Sequence, residues 1–168
     1  MVLTKSELIA ALQNEVRILV HLAGKVDRSK IDYRPTSKQR STIELLRYMS
    51  MMGPTLIRYA KTNSWDQDLW NSALKAADAR DFNQTVAAIA AQAAEYAALL
   101  GDMTDADFRG EVKGFDGSTT SRGAFIVNLV LCGCAAYRTQ LFLYLKACGR
   151  EELGTVNLWV GVDAPATV

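Results

Sequence analysis

The sequence predicts an all-α protein: a four-helix bundle with one short extra helix and an irregular C-terminal tail. Two observations predict this class. Capping sequences precede segments in which apolar residues recur every three or four positions, and this helical period fails over residues 102–121. The 168 residues are 49% hydrophobic and carry a formal charge of +1, which predicts one folded domain over residues 1–168 and excludes a disordered chain.

Thr4 and Glu7 have the spacing of a capping box and predict a first helix that reaches about Lys25. Apolar residues three or four apart form one stripe along it. The polar segment 27–40 follows as a loop, long enough to cross over the bundle rather than to join neighbouring helices.

Ser41 and Glu44 form a second capping box, which opens helix two. Pro54 lies inside the apolar pattern and predicts a kink or a short interruption there, because proline lacks a backbone N–H and crowds the preceding turn. The segment from Trp65 to Ala79 is the short extra helix.

Asp81 and Gln84 cap the alanine-rich third long helix, for which Gly101 is the expected left-handed stop. Segment 102–121 is expected to be a loop with a small hairpin around residues 111–113. The fourth long helix is expected from about residue 122 to residue 147, with Gly149 after it. The tail that follows is apolar enough to pack on the bundle or across a dimer partner.

Composition excludes several classes of protein. The near-neutral charge gives no field that attracts nucleic acid or anionic lipid. The N-terminus lacks a signal-peptide pattern, and the most apolar run, residues 123–137, is shorter than a membrane span. We therefore expect a cytoplasmic protein with no nucleic-acid or membrane partner. Three cysteines predict no disulfide framework, and the single histidine, His21, excludes sites built from several histidines.

The fourth long helix carries the main candidate site. Gly133, Tyr137 and Gln140 fall on one side of it, and Tyr48 of helix two is placed to meet Tyr137. A tyrosine on an inward face has a polar tip that needs a hydrogen bond. The pattern leaves open a ligand pocket lined by these four residues or a plain core.

Other clusters give weaker signals. Arg34, Arg40 and Arg47 surround the start of helix two and form a candidate anion site, with a solvated basic rim as the alternative. The carboxylates of the glycine-rich loop at 102–111 have no apolar enclosure and indicate a solvated loop. Cys132 and Cys134 point about 200° apart on a helix, so they predict buried small side chains rather than a shared metal.

Two groups of motifs resemble a known family. The first is Tyr33-Arg34-Pro35-Thr36 followed by Ser41-Thr42-Ile43-Glu44-Leu45-Leu46-Arg47, and the second is Tyr137-Arg138-Thr139-Gln140-Leu141 followed by Phe142-Leu143-Tyr144-Leu145. These motifs are similar to those of the DinB/YfiT-like superfamily of four-helix proteins, and the resemblance extends from Thr4 to about Gly149.

The resemblance implies which positions would hold a metal ion, and in this chain those positions lack the metal-binding residues. Typical members hold zinc or nickel between three histidines, and the corresponding positions here are Tyr48, Gly133 and Tyr137. Glycine has no ligand atom, and neutral tyrosine is a poor ligand for these ions at pH 7. We therefore expect no metal and no other cofactor.

Whether the chain is an enzyme stays open at this point. The first hypothesis is a metal-free DinB-like protein that binds a small molecule between Tyr48 and Tyr137 or acts as a homodimer. The alternative is a thiol-dependent transferase or hydrolase-like enzyme, related to the metal-dependent members and using one of these tyrosines or a cysteine. A third hypothesis is a purely structural homodimer.

Overall fold

The computed structural model describes residues 3–165 and confirms the all-α fold. Four long helices form the bundle, and the remaining elements are short. In chain order the elements are α1 (Lys5–Ala23), α2 (Thr42–Thr62), α3 (Gln67–Asp78), α4 (Phe82–Gly101), α5 (Asp105–Arg109), β1 (Glu111–Lys113), β2 (Thr119–Ser121), α6 (Arg122–Phe125), α7 (Cys132–Ala147) and α8 (Thr155–Trp159).

The bundle is wired by crossovers. Helix α1 packs against α4 and α7, and α2 packs against the same two helices, so α1 and α2 occupy opposite corners. Their connection, which includes a 3₁₀ turn at Arg28–Lys30, therefore crosses the end of the bundle, as its length predicted. The short helix α3 packs on the outside of α2.

Local sequence determines where the helices begin. The three predicted capping boxes are present: Thr4 with Glu7, Ser41 with Glu44, and Asp81 with Gln84. In each, a side-chain oxygen accepts a helical N–H and the third residue accepts the N–H of the cap. The helices then bury apolar stripes in one shared core, whose fully buried members include Leu12, Leu22, Leu45, Ile57, Ile89, Leu100, Ile126 and Leu141.

Helix α2 continues without interruption through Pro54, so of the two outcomes predicted there, a kink or a short interruption, the interruption does not occur. This part of α2 packs closely on α4. A Cβ atom added at Gly53 would lie 2.0 Å from the Tyr96 hydroxyl oxygen, so only glycine allows this approach. The Tyr96 hydroxyl donates to Gln92, whose amide in turn donates to the Met49 carbonyl of α2, 2.8 Å away.

Segment 102–121 is more ordered than its composition suggested. It contains the predicted hairpin, in which Val112 pairs with Thr120, and also the helix α5, which the sequence analysis did not predict. The N-terminus of α5 has a fourth capping box, formed by Thr104 and Asp107. Gly101 retains right-handed helical geometry at the end of α4, so the left-handed stop predicted there was wrong.

The fourth bundle helix is continuous over Arg122–Ala147 but contains a π-helical turn at Ile126–Leu131. Gly149 follows it with a φ of +96°, which is the left-handed geometry predicted at that position. Within residues 3–165, this is the one helix that is long and apolar enough to cross a membrane by length and composition. In the structure it packs against α1 and α2 and buries Arg138.

The C-terminal tail was predicted to be irregular, but it contains α8 and folds back onto α1. The Asn157 amide holds this segment, since it donates to the Val162 carbonyl and faces the His21 ring at 3.1 Å. Lys25 of α1 also pairs with Asp163 at 2.7 Å. The tail thus packs on the bundle, which was one of the two expectations for it.

Candidate functional site

A pocket of about 480 Å³ lies between α2, α3, the hairpin and the helix Arg122–Ala147. It contains three of the four residues predicted to share a site: Tyr48, Gly133 and Tyr137. None of the described residues that line it is charged, and most are aromatic or aliphatic. Besides those three, its lining consists of Met52, Leu56, Trp65, Trp70, Phe115, Asn128, Leu129 and Ala136.

Tyr48 and Tyr137 meet across the pocket, as their helical positions predicted. Their ring centroids are 5.3 Å apart and the rings cross at 72°, an edge-to-face pair. Arg40 covers the Tyr48 ring, with its guanidinium carbon 3.9 Å from the ring centroid. The Tyr48 ring therefore contacts both Arg40, from the loop before α2, and Tyr137 of α7.

The two phenols are hydrogen-bond donors at neutral pH. Burial, together with the neighbouring Tyr137, raises the pKa of Tyr48 to about 12. The Tyr48 hydroxyl thus keeps its proton and presents a polar hydrogen, in a lining whose other polar side chains include Tyr137 and Asn128.

Aromatic side chains from three other segments complete the wall. Trp65 precedes α3 and Trp70 lies on it, and their ring centroids are 5.2 Å apart. Phe115, at the tip of the hairpin, approaches Trp65 edge-on at 5.2 Å. Tyr59 of α2 stacks on Phe115, and its hydroxyl donates to the Lys113 carbonyl, which anchors the hairpin to α2.

The pocket does not fit the metal that the family resemblance implies. The corresponding positions provide two phenols and no side chain at Gly133. The space beside Gly133 is occupied by the Met52 methyl group, which would lie 3.4 Å from an added Cβ. In residues 3–165 no three His, Cys, Asp or Glu side chains are grouped to hold a metal ion.

Gln140, the fourth residue predicted for the pocket, lies outside it. Its amide donates to the Tyr144 hydroxyl, and that hydroxyl donates to the Arg40 carbonyl at 3.0 Å. Gln140 therefore contributes to the contact between α7 and the loop before α2. Gln140 lies on the same side of the helix as the pocket residues, since its direction falls between those of Ala136 and Tyr137, but it lies roughly one turn further along the axis.

The three arginines of the candidate anion site have separate partners. Arg34 pairs with Glu44 at 3.1 Å, Arg40 stacks on Tyr48, and both Nε and Nη2 of Arg47 donate to the Arg80 carbonyl at 2.9 and 2.6 Å. These contacts attach the loop before α2, and the connection between α3 and α4, to α2. The guanidinium groups are thus engaged within the chain instead of converging on one point.

Cys134 and the carboxylates of Asp102 and Asp107 show no activation for catalysis. Burial raises the pKa of the Cys134 thiol to about 12, so it is not a thiolate at neutral pH. Hydrogen bonds from Lys61 to Asp102 and from Thr104 to Asp107 lower the pKa of both carboxyls. A carboxyl group that acts as a general acid needs a raised pKa instead.

The sequence analysis did not assign Trp65, Trp70, Phe115 or Asn128 to the site. Trp65 and Trp70 were recognised only as part of a short helix, and Phe115 lies in the glycine-rich loop, 50 positions further along the chain. No local spacing relates the two regions. The available signal was composition: aromatic residues in otherwise polar, solvent-facing segments.

Taken together, the crossover bundle and its aromatic, uncharged pocket define an all-α helical-bundle protein with a candidate small-molecule site. This chain is similar in structure to YjoA, a DinB-like protein from Bacillus subtilis whose crystal structure is known. The TM-score is 0.66 at 16% identity, over 88% of this chain and 94% of that one. The chain therefore has a DinB-like fold. No protein-family model matches it, and a search of curated proteins finds no match.

Proposed function

We propose that this chain is a metal-free small-molecule-binding protein whose ligand lies between Tyr48 and Tyr137. The observation that carries the proposal is the pocket of about 480 Å³, within the size range of small-molecule sites. Its lining is mostly apolar and has a few polar side chains, Tyr48, Tyr137 and Asn128, which is the usual composition of a ligand site. Gly133 contributes no side chain, so the Met52 methyl group lies against α7 at this point of the lining.

Binding is favoured over catalysis because the lining has no group suited to bond breaking. It contains no His, Cys, Lys, Asp or Glu among the described residues, and the pKa of Tyr48 lies far above neutrality. A general acid or base works best when its pKa lies near the working pH. The thiol-dependent alternative would use Tyr48, Tyr137 or a cysteine; no cysteine lines the pocket in the described chain, and the raised pKa of Tyr48 keeps its phenol protonated.

A ligand screen by thermal shift tests the proposal. A bound compound at 100 times its Kd should stabilise the fold by about 2.7 kcal/mol. Ala136→Trp places a large ring at the pocket lining and should abolish the shift. Ala147→Trp is the matched control, since Ala147 is exposed on the same helix and does not line the pocket. If every hit stabilises both variants equally, the ligand lies elsewhere and the proposal is wrong.

A homodimer is a second candidate, and the tail carries it. Val156, Trp159, Val160 and Val162 are all at least 36% exposed, with Trp159 at 63%. Four large apolar side chains in seven residues form a surface typical of an interface. The alanine-rich helix α4 packs against α1 and α2 within the chain.

Light scattering at micromolar concentration tests the dimer. We expect twice the chain mass for the natural protein and the monomer mass for a Trp159→Lys, Val160→Lys variant, because a symmetric interface would bring each new charge near its copy. Leu143→Lys is the control, as Leu143 is 59% exposed but lies on α7. A natural protein that is monomeric at this concentration would count against the dimer and leave ligand binding unaffected.

A further inference from the structure

The Tyr48 and Tyr137 hydroxyls limit what the pocket can hold. The tyrosine hydroxyls that donate within residues 3–165 are those of Tyr59, Tyr96 and Tyr144, so the Tyr48 and Tyr137 hydroxyls have no acceptor there. A ligand with a hydrogen-bond acceptor can pair with these donors, so this part of the pocket is complementary to an acceptor.

The charges around the pocket favour a neutral ligand. No carboxylate among the described residues lines it, so an organic cation would find no counter-ion there. Arg40 already occupies one face of the Tyr48 ring at 3.9 Å, and its charge repels a second cation. An anion would lose its hydration shell to apolar walls, because Arg40 lies outside the lining.

The walls favour a flat ligand. The rings of Trp65, Trp70 and Phe115 approach one another at 5.2 Å and present aromatic surface to the pocket. Aromatic faces stack on planar partners at offset or edge-on geometry. The volume of about 480 Å³ accommodates a two-ring compound with a short substituent.

We propose that the pocket binds neutral, planar, two-ring aromatic ketones, with the carbonyl oxygen accepting the free phenol hydrogen of Tyr48 or Tyr137. This inference rests on the proposed small-molecule function and specifies its ligand class. The rings of the ligand lie against Trp65, Trp70 and Phe115, and the carbonyl points toward α2 and α7.

Equilibrium dialysis of the full chain with three probes tests the ligand class: 2-acetylnaphthalene, 2-ethylnaphthalene and trimethylphenylammonium. The first two differ only in carbonyl against methylene. One hydrogen bond should make the ketone bind about tenfold more tightly than the hydrocarbon. The ammonium probe should bind more weakly than both.

Tyr48→Phe with Tyr137→Phe keeps both rings and removes both hydroxyls. It should lower the ketone affinity about tenfold, to the level of the hydrocarbon, and leave the hydrocarbon affinity unchanged. Tyr33→Phe is the control, because Tyr33 packs on Tyr144 outside the pocket. If the double variant fails to fold, the ratio of ketone to hydrocarbon affinity in the natural protein still tests whether the pocket prefers a carbonyl oxygen.

The outcomes separate this inference from the proposed function. Equal affinities for ketone and hydrocarbon would overturn the ligand class while supporting a binding pocket. Tightest binding by the ammonium probe would overturn it in favour of an aromatic cage for cations. Absence of binding by all three probes would overturn the ligand class, and the proposed function would fail with it only if the thermal-shift screen also gave no hit.

Discussion

At the scale of single residues, the Nε2 atom of His21 faces the side-chain amide nitrogen of Asn157. The amide of Asn157 is oriented by the backbone, since its oxygen accepts the Gly154 N–H at 2.9 Å and its nitrogen donates to the Val162 carbonyl at 3.1 Å. That nitrogen also faces His21 Nε2 at 3.1 Å. It also lies 3.1 Å from Asp163 Oδ1, so three acceptors surround its two hydrogens, and its bond to His21 requires the neutral ring with Nε2 unprotonated.

We predict that the His21 imidazole titrates below the ordinary histidine range. Burial and the nearby charge of Lys25 lower its pKa, and Asp163 opposes them only in part. The unfolded chain then binds the proton more readily, so stability should fall as the pH decreases from the unfolded imidazole pKa through the folded one. NMR measures the pKa directly, because the chain has one histidine.

Asn157→Ala is the control for this titration. It removes the amide hydrogens that face Nε2 and should move the His21 pKa upward, toward its value in urea. A folded-state midpoint equal to or above the value in urea would show that the ring does not accept this bond.

Arg138 and Glu15 form a buried ion pair between α7 and α1, with 3.3 Å between Nη1 and Oε1. The pair is incompletely satisfied, because Arg138 Nε and Glu15 Oε2 are buried without partners in the described chain. Burial raises the pKa of the Glu15 carboxyl, and Arg138 opposes that shift. Such pairs often stabilise a fold less than apolar residues of similar volume.

We predict opposite results for single and double replacement of this pair. Arg138→Met leaves the Glu15 carboxyl buried and alone and should lower the free energy of unfolding by about 3–5 kcal/mol. Adding Glu15→Leu should restore most of that loss. Urea denaturation measures both variants, and a double variant as unstable as the single one would contradict this account.

At the scale of elements, the contact between α2 and α4 depends on one missing side chain. We predict that Gly53→Ala lowers the free energy of unfolding by about 1–3 kcal/mol, because its methyl group would overlap the Tyr96 hydroxyl. Gly101→Ala is the matched control: it is also helical and has no atom within 4 Å of the added Cβ. It should be neutral or stabilise by about 0.5–1 kcal/mol.

Thermal denaturation compares the two alanine variants. Tyr96→Phe should partly rescue Gly53→Ala, since it removes the atom in closest contact. Equal melting temperatures for Gly53→Ala and Gly101→Ala would contradict this prediction, because they would mean that α2 and α4 can move apart without a loss of stability.

The elements also show which parts of the fold were predictable from sequence. Capping boxes and apolar stripes are local, so the starts of α1, α2 and α4 were predicted within a residue. Helix α8 was missed because contacts with α1, rather than its own sequence, hold it. The interruption at Pro54 does not occur, because burial of α2 on both sides of the proline outweighs the lost hydrogen bond.

At the scale of the whole molecule, the candidate site depends on long-range packing. Tyr48 and Tyr137 were predicted to meet because each lies on the inward side of a long helix. Trp65, Trp70 and Phe115 were not predicted, since only the tertiary fold brings α3 and the hairpin to α2. Arg34, Arg40 and Arg47 show the opposite: they are close in sequence, but the fold does not bring them together in one anion site.

The crossover wiring also predicts cooperative unfolding. Each bundle helix packs between two helices, so none can leave without exposing the common core. We predict one urea transition, with the same midpoint by far-UV circular dichroism and by tryptophan fluorescence. Trp159→Phe limits the fluorescence signal to Trp65 and Trp70, and a variant with phenylalanine at those two positions limits it to the tail. Separate midpoints would indicate more than one folding unit.

The π-helical turn at Ile126–Leu131 affects how relatives of this chain should be compared. Such a turn accommodates one residue more than an α-helical turn, and each residue rotates the helix by about 100°. A relative with a plain α-helix would direct side chains from different linear positions toward α2. An alignment without a one-residue gap in this turn would therefore pair positions that are not equivalent in the two structures. Insertion or deletion of one residue in the turn would also change which side chains line the pocket, even if none of those side chains were substituted.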